Sequence, residues 1–366
     1  MISLGVPGLP PAELRLTLSP RRRFDAIDVN AQIAREAGDV LRRYRRALYC
    51  SLHTTAGYLE QSLSSRLRHN HDRLAQFVGS FGAVFPQGAE YRHDQMTLRT
   101  ELSDAQKEAE PRNADSHLTF IGAGLRNCVT YRSVPDAPVY FIDLDGRTDA
   151  MCRRRETTIL AYDDERVVAR TSIGVSVSKH PIDSINLADA RFGLLDQVND
   201  LLARTGLEHG RVDVELAPAE RHAGLTVNEY ETLLMQHDLI DVLRNPLHFA
   251  KIKGKSMLDH PLRIPGKTLS YAKYDMVRVL NSLMDALGLE QSSLERLVAK
   301  VMAFPARRFI RTRRVSFLAA KEDGSPAARV VRGTYQSPIL VQWRQADRQE
   351  RHIDISVVEL SRRRNR

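Results

Sequence analysis

Three histidines in the first third of the chain could together hold a metal ion. His53 follows an apolar stretch that predicts a strand, His93 follows a loop, and His117 lies in a segment expected to be helical. Neutral imidazoles are the commonest protein ligands of zinc, and three of them leave one coordination position open. Because the three are far apart in sequence, only the fold can bring them together. The competing interpretation is that each is a hydrogen-bonded, partly buried side chain.

Further polar residues could bind an anion or carry a proton, and each also has a structural interpretation. Glu229 lies at the expected start of a helix, where a carboxylate also complements the helix dipole. Gln336 lies beside a predicted strand, and Arg348 and Arg351 follow in a hairpin. Arginine makes bidentate contacts with phosphate oxygens, which would be the best chemical use of these two side chains.

Two threonines and an asparagine adjoin the histidines. Thr54 and Thr55 follow His53 directly, and threonine at the start of a helix commonly caps it. Asn113 stands four residues before His117, so the two share one face of the expected helix. That placement fits a binding site and a surface hydrogen bond equally well.

The charge of the chain favours anionic partners. Its 366 residues include 54 Lys+Arg and 45 Asp+Glu, which gives a formal net charge of +9. Such an excess suits phosphorylated small molecules or nucleic acid. Aromatic residues make up only 6% and rarely interleave with the arginine runs, so a solvated surface is favoured over nucleic-acid binding. The runs lie at 21–23, 153–155, 307–308, 311–314 and 362–366.

The length, hydropathy and cysteine content predict a cytoplasmic protein of two domains. Domains run roughly 100–200 residues, and no stretch of about 18 apolar residues could form a membrane span. The N-terminus lacks the pattern of a secretory signal. Three cysteines without CxxC spacing, at positions 50, 128 and 152, suggest neither a disulfide framework nor a cysteine zinc site.

The order of predicted elements occurs twice, which indicates a tandem duplication. In each half two short strands precede a helix, a further strand, a second helical region and a terminal set of strands. Without a low-complexity linker the copies should pack together. We place the boundary near residues 172–178, with domains at 1–175 and 176–366. The first-half elements are expected at 14–18, 24–29, 31–44, 47–52, 59–81, 139–144, 158–162 and 167–171, and those of the second at 175–177, 184–187, 192–202, 212–216, 225–243, 315–318, 339–343 and 353–357.

The first half resembles the YjbQ family, also called the secondary thiamine-phosphate synthase family. The family carries an HTTA motif, a tyrosine-x-histidine pair and an NAxxH segment, in that order. All three are present, as residues 53–56, 91–93 and 113–117. Together they are specific, whereas each alone would be a weak signal.

The second half carries the motifs that the first half lacks. The family's NE pair occurs as Asn228 and Glu229, and its GTWQ strand occurs as the residues 333–336, with Arg348 and Arg351 in the hairpin behind it. The positions that should hold HTTA instead read Glu-Arg-His-Ala, at 220–223.

The resemblance implies an α+β fold with two tandem β-sandwich domains and flanking helices, in a family whose single-domain members usually form trimers. It implies an enzyme acting on a small phosphorylated molecule, in which a thiazole phosphate nitrogen displaces pyrophosphate from a pyrimidine methyl diphosphate. We expect the chain to bind a divalent metal, with zinc as the first candidate, and no organic cofactor. We also expect it to form a homo-oligomer. The alternatives are a metal-assisted hydrolase on the same histidines and a non-catalytic binding protein that uses its basic surface.

Because each half retains different motifs, we expect one composite site. The expected metal ligands are His53, His93 and His117, which are also catalytic residues. The second half would donate Glu229 and Gln336 as catalytic residues. The substrate-binding residues would be Thr54, Thr55, Asn113, Arg348 and Arg351.

Overall fold

Antiparallel sheets and short helices make up the protein, which confirms the predicted α+β class. The computed structural model describes residues 10–100, 102–147, 152–180, 182–244, 310, 312–321 and 324–362. None of the helices in these ranges is long and apolar enough to cross a membrane. The arginine run at 307–308 and most of the C-terminal tail lie outside the described residues.

The described part of the first half contains seven strands and five α-helices. Its strands are β1 (Ala12–Leu18), β2 (Asp25–Asp28), β3 (Arg46–Ser51), β4 (Ala56–Gly57), β5 (Cys128–Arg132), β6 (Tyr140–Asp143) and β7 (Arg155–Tyr162). Its helices are α1 (Val29–Ala37), α2 (Gln61–Arg66), α3 (His71–Val84), α4 (Asp104–Ala109) and α5 (Ala114–Ala123).

The described part of the second half is mostly β-structure. Its strands are β8 (Asp164–Ser176), β9 (Asp183–Asn186), β10 (His209–Leu216), β11 (Ala223–Asn228), β12 (Arg314–Ala320), β13 (Arg329–Val331), β14 (Ser337–Gln342) and β15 (Glu350–Ser361). Its helices are α6 (Leu194–Thr205) and α7 (Leu239–Arg244), which continues a π-helical turn at Leu234–Asp238.

The sheets of the two halves have matching strand orders. The larger sheet of the first half runs β1-β7-β3-β5, and the larger sheet of the second runs β8-β15-β10-β12 with β13 added at the edge. The smaller sheets run β2-β6-β4 and β9-β14-β11. In both halves, therefore, strands in corresponding places along the chain occupy corresponding places in the sheets.

Strand β8 begins the second half rather than closing the first. The element order predicts that residues 167–171 belong to the terminal strands of the first half. In the structure β8 pairs along its length with β15, from Asp164 opposite Ser361 to Ser176 opposite Glu350. The chain thus passes from one larger sheet to the other between Tyr162 and Asp164.

The halves meet through apolar layers. One layer joins the two larger sheets and contains Leu48 and Leu160 from the first half and Leu318 and Val358 from the second. A second layer packs α5 and the end of α3 against β14 and the π-helical turn. Burial of apolar surface on both sides holds the halves in one arrangement.

The prediction of a helix from residue 225 is wrong for its first residues. Residues 223–228 form strand β11, which pairs with β14, and all six are buried. In a short segment that is apolar on both faces, the hydrophobic residues show no helical or strand periodicity. A buried strand therefore cannot be distinguished from a buried helix by its sequence pattern. Glu229 therefore lies just beyond the end of a strand and not in the first turn of a helix.

Candidate functional site

His93 is held by carboxylates from both halves of the chain. Its Nδ1 lies 3.0 Å from Oδ1 of Asp94, and its backbone N–H donates to Oδ2 of Asp238 at 3.1 Å. The same Oδ1 of Asp94 accepts from the N–H of Ala114 at the start of α5. Since a carboxylate accepts, Nδ1 carries a proton, and Nε2 has a free lone pair when the imidazole is neutral.

His117 lies on α5 and is fixed in the same manner by an amide. Its Nδ1 is 2.7 Å from Oδ1 of Asn228, whose Nδ2 donates to the carbonyl of Thr54 at 3.1 Å. Because Nδ2 of Asn228 donates to the Thr54 carbonyl, the atom of this amide that faces His117 is the oxygen. An oxygen accepts, so the proton again lies on Nδ1 of His117. Nε2 of His117 faces Oε2 of Glu229 at 3.6 Å.

Glu229 completes the group from the end of β11. Ligand atoms of His93, His117 and Glu229 all lie within 4.8 Å of one another, and the two imidazole centroids are 5.3 Å apart. The guanidinium of Arg99, itself buried, is 3.9 Å from Oε1 of Glu229. We call His93, His117 and Glu229 the triad.

Burial controls the protonation of the triad. It lowers the pKa of His117 to about 3, with the charge of His93 as the next cause. Burial also acts to lower the pKa of His93. The hydrogen bond and charge of Asp94 outweigh burial there, so the net result is a raised pKa. Burial raises the pKa of Glu229, against the charge of His93. His117 is thus held neutral, the form that binds a metal.

His53 lies outside the triad, in contrast to the predicted set of three histidines. Its Nε2 accepts the backbone N–H of Glu156 at 3.0 Å, so the lone pair that would bind a metal is already used. Burial and the charge of Arg155 lower its pKa to about 4. In the described residues, the third ligand atom comes from Glu229 instead.

Gln336 joins the second half to the backbone around His53. It lies in the turn before β14, and its Nε2 donates to the carbonyls of Ser51 at 2.9 Å and His53 at 3.0 Å. Its Oε1 accepts from the N–H of Gly333 at 3.0 Å. Its amide is therefore engaged in holding the two halves together.

Replacing Gly333 with alanine should loosen this junction. A Cβ at Gly333 would overlap the carbonyl oxygen of Leu52, an approach that real Cβ atoms do not make. We expect the turn to shift and the free energy of unfolding to fall by about 1–3 kcal/mol, as for other overpacked sites. Urea unfolding of the variant measures this. Gly82, around which a Cβ meets nothing within 4 Å, provides the control Gly82→Ala, and an equal effect of both changes would contradict the argument.

The other predicted substrate-binding residues, Thr54, Thr55 and Asn113, each make a hydrogen bond within the protein. The carbonyl of Thr54 accepts from Asn228, and Oγ1 of Thr55 accepts from Arg155 at 3.2 Å. Asn113 precedes α5 and donates from Nδ2 to Asp145 at 2.8 Å.

The structure does not bring the two arginines of the hairpin to the triad as phosphate ligands. Arg351 is buried, and its guanidinium donates to Gln342, to Glu220 at 2.7 Å and to two backbone carbonyls. Arg348 lies on an exposed turn with a positive φ of 57°. The guanidinium of Arg351 is therefore committed to the fold.

Several supporting residues were missed by the sequence analysis. Asp94, Asp238, Asn228 and Arg99 position or surround the triad. Asp94, directly after a candidate histidine, and Asn228, directly before Glu229 in the NE pair, offered local signals. The roles of Asp238 and Arg99 depend on contacts across the two halves.

Two cavities of about 490 and 450 Å³ lie elsewhere, and no triad residue lines either one. The first lies beside α1, with Asn30, Tyr49 and Tyr131 in its wall. The chemistry-bearing residues, and not these two cavities, therefore define the candidate site.

No protein-family model matches this sequence, and no curated protein matches it significantly. Among solved structures, the chain is similar to a YbjQ-like protein of unknown function from Sulfolobus solfataricus, with 17% identity and a TM-score of 0.26 over 54% of this chain and 99% of that one. It is also similar to a hypothetical protein from Aeropyrum pernix, with 16% identity and a TM-score of 0.25 over 52% and 98%. An uncharacterized conserved protein of the YjbQ family from Clostridium acetobutylicum has 12% identity and a TM-score of 0.23 over 51% and 98%. These structural neighbours thus include members of the family whose motifs the first half resembles.

Proposed function

We propose that this chain is a metal-dependent enzyme that acts on a small phosphorylated substrate, with a divalent cation held by the triad. The observation that carries the proposal is the convergence of the three ligand atoms within 4.8 Å. Two histidines and one glutamate are the protein ligands of well-known hydrolytic zinc sites. A bound cation would polarise a phosphoryl oxygen and activate water.

The surroundings of the triad fit such a cation. Nε2 of His93 is buried, and among the described residues nothing hydrogen-bonds to it. A buried polar atom left in this state is costly, and a bound ion would remove the cost. Asp94 and Asn228 hold the Nδ1 protons of His93 and His117, as acceptors around metal-binding imidazoles generally do.

Charged and unsatisfied polar groups near the triad support an anionic substrate. The charges of Arg153 and Arg99 both lower the pKa of His117, so both act on the site. Nε of Arg153 is buried and has no hydrogen-bond partner in the described part of the chain. Arg99 and Arg153 could stabilise negative charge on a departing phosphate or pyrophosphate.

Two reactions are consistent with these groups. In the first, water attacks and the enzyme is a hydrolase, which the donor set of the triad favours. In the second, a ring nitrogen attacks and the product resembles thiamine phosphate, which the family motifs favour. In both, the chain positions the substrate and neutralises the leaving group.

An assay of phosphate and pyrophosphate release distinguishes these reactions. Zinc-loaded protein would receive a pyrimidine methyl diphosphate with and without a thiazole phosphate, and a panel of phosphate esters. Release that requires the thiazole phosphate indicates the transferase, and release without it indicates the hydrolase. The variant Glu229→Gln should lose either activity. Absence of bound metal after reconstitution would contradict the proposal and favour a binding protein.

We also propose that the two halves are tandem copies of one domain, with the boundary near Asp163. The matching strand orders of their sheets support this, since they relate seven strands of each half in sequence order. We place the composite site at the contact between the copies, because His93 and His117 come from one half and Glu229 from the other.

A further inference from the structure

Two buried cysteines face each other across neighbouring strands. Cys50 on β3 is the register partner of Cys128 on β5, and their Sγ atoms are 3.0 Å apart. The adjacent pair is hydrogen-bonded, since the N–H of Ser51 donates to the carbonyl of Asn127 at 2.7 Å. Because bonded and non-bonded pairs alternate in an antiparallel ladder, Cys50 and Cys128 form a non-bonded pair.

This register suits a covalent bond between the two sulfurs. Opposite residues in a non-bonded pair have Cα atoms about 4.5 Å apart. Disulfides span Cα distances of about 4.4–6.8 Å, so the bond could form without movement of either strand. No sequence pattern indicates this pair, because 77 residues separate the two cysteines and no motif marks them.

A cavity borders one of the two cysteines. Cys128 lines the cavity of about 450 Å³ between the larger sheets, whereas Cys50 does not. Charged side chains of both signs line the same cavity as ion pairs, Arg126 with Glu60 and Arg211 with Asp213 and Glu165. Burial raises the pKa of Cys50, with a smaller opposing effect from Arg211. A small peroxide that enters the cavity would therefore meet Cys128 before Cys50, and the thiolate is the reactive form of cysteine.

We propose that Cys50 and Cys128 are a redox modification site, which a hydroperoxide such as hydrogen peroxide converts to a disulfide. The Cys128 thiolate attacks one peroxide oxygen, the O–O bond breaks, and the departing hydroxide takes a proton to become water. Cys50 then attacks the sulfenic sulfur of Cys128, the S–O bond breaks, and the Cys50 proton leaves with a second water. Two thiols are oxidised and one peroxide is reduced.

The bond would join the two strands that lead to the His53 backbone. β3 ends at Ser51, and Asn127, directly before Cys128, donates from its side-chain amide to the carbonyl of His53. The disulfide would therefore fix the segment that Asn228 and Gln336 contact from the second half.

Peptide mapping by mass spectrometry tests the proposal. The full chain would be treated with increasing hydrogen peroxide, denatured and alkylated before digestion. We expect a peptide pair linked through Cys50 and Cys128, with an intact mass lower by two hydrogens, that disappears on reduction. The exposed Cys152 is an internal reference for the peroxide dose.

Three variants make the outcome decisive. Cys152→Ser should still form the link, and Cys50→Ser should leave Cys128 as a sulfenic acid that dimedone traps. Cys128→Ser should leave Cys50 unmodified at the same dose. Oxidation of Cys152 without the internal link, or a link that includes Cys152 instead, would overturn the proposal, and circular dichroism confirms that each variant is folded.

Discussion

Replacing His117 with alanine is expected to abolish zinc binding by the protein. The change removes one of the three converging ligand atoms and leaves His93 and Glu229, too few for a tight mononuclear site. Zinc content after reconstitution and dialysis, measured by inductively coupled plasma mass spectrometry, should fall from about one ion per chain to near zero, since a structural or catalytic site binds one ion.

A graded control accompanies this change. Asn228→Ala removes no ligand atom, but it removes the acceptor of the His117 Nδ1 proton together with the bonds of this amide to Thr54 and Glu229, so zinc affinity should fall by about 10–100-fold without being lost. His352→Ala, on the exposed side of β15, should leave zinc binding unchanged. Because His117 is buried, thermal unfolding of each variant must show a folded protein. Unchanged zinc content in folded His117→Ala would refute the triad as a metal site.

Replacing Arg155 with methionine is expected to cause a large loss of stability. Its Nε and Nη2 donate to the two carboxylate oxygens of Asp143 at 2.6 and 2.8 Å, and both residues are buried. Without the guanidinium, Asp143 would be a buried charge without its counterion. Breaking such a pair costs about 3–5 kcal/mol, which urea unfolding would measure.

An exposed ion pair provides the matched control. Nη2 of Arg42 lies 2.6 Å from Oδ1 of Asp136, and the two side chains are 56% and 80% exposed. Arg42→Met should therefore change the free energy of unfolding by less than about 1 kcal/mol. The double change of Asp143→Leu with Arg155→Met should recover much of the loss, since a buried ion pair can be replaced by apolar groups. Equal effects of Arg42→Met and Arg155→Met would contradict this account.

The regular parts of the fold were predictable because their patterns are local. Alternation revealed β1, an apolar stretch revealed β3, helical periodicity revealed α3, and the repeated order of elements revealed α6. Helix α1 was predicted at 31–44 but ends at Ala37, because Gly38 adopts a φ of 65° and a short 3₁₀ turn follows. Where a segment is buried on both faces, as β11 is, the period disappears and the type of element was mispredicted.

The site was predictable in residue types but not in arrangement. The histidines and Glu229 could be selected because few side chains bind metals. That His53 would bond to the N–H of Glu156 depends on the pairing of β3 with β7, and that Glu229 would approach His117 depends on how the halves pack. The same is true of Asp238, which reaches His93 from 145 residues away.

With a cation bound as proposed, the division of the triad between two halves would tie the cohesion of the chain to its metal supply. A ligand that binds only the assembled state stabilises it by about 4.1 kcal/mol at a concentration of 1,000 times its dissociation constant. A cation bound by His93, His117 and Glu229 would add this energy at the junction between the sheets of both halves. Proteolytic turnover of the protein would then rise when zinc becomes scarce, so its abundance in the cell would follow zinc availability without any dedicated regulator.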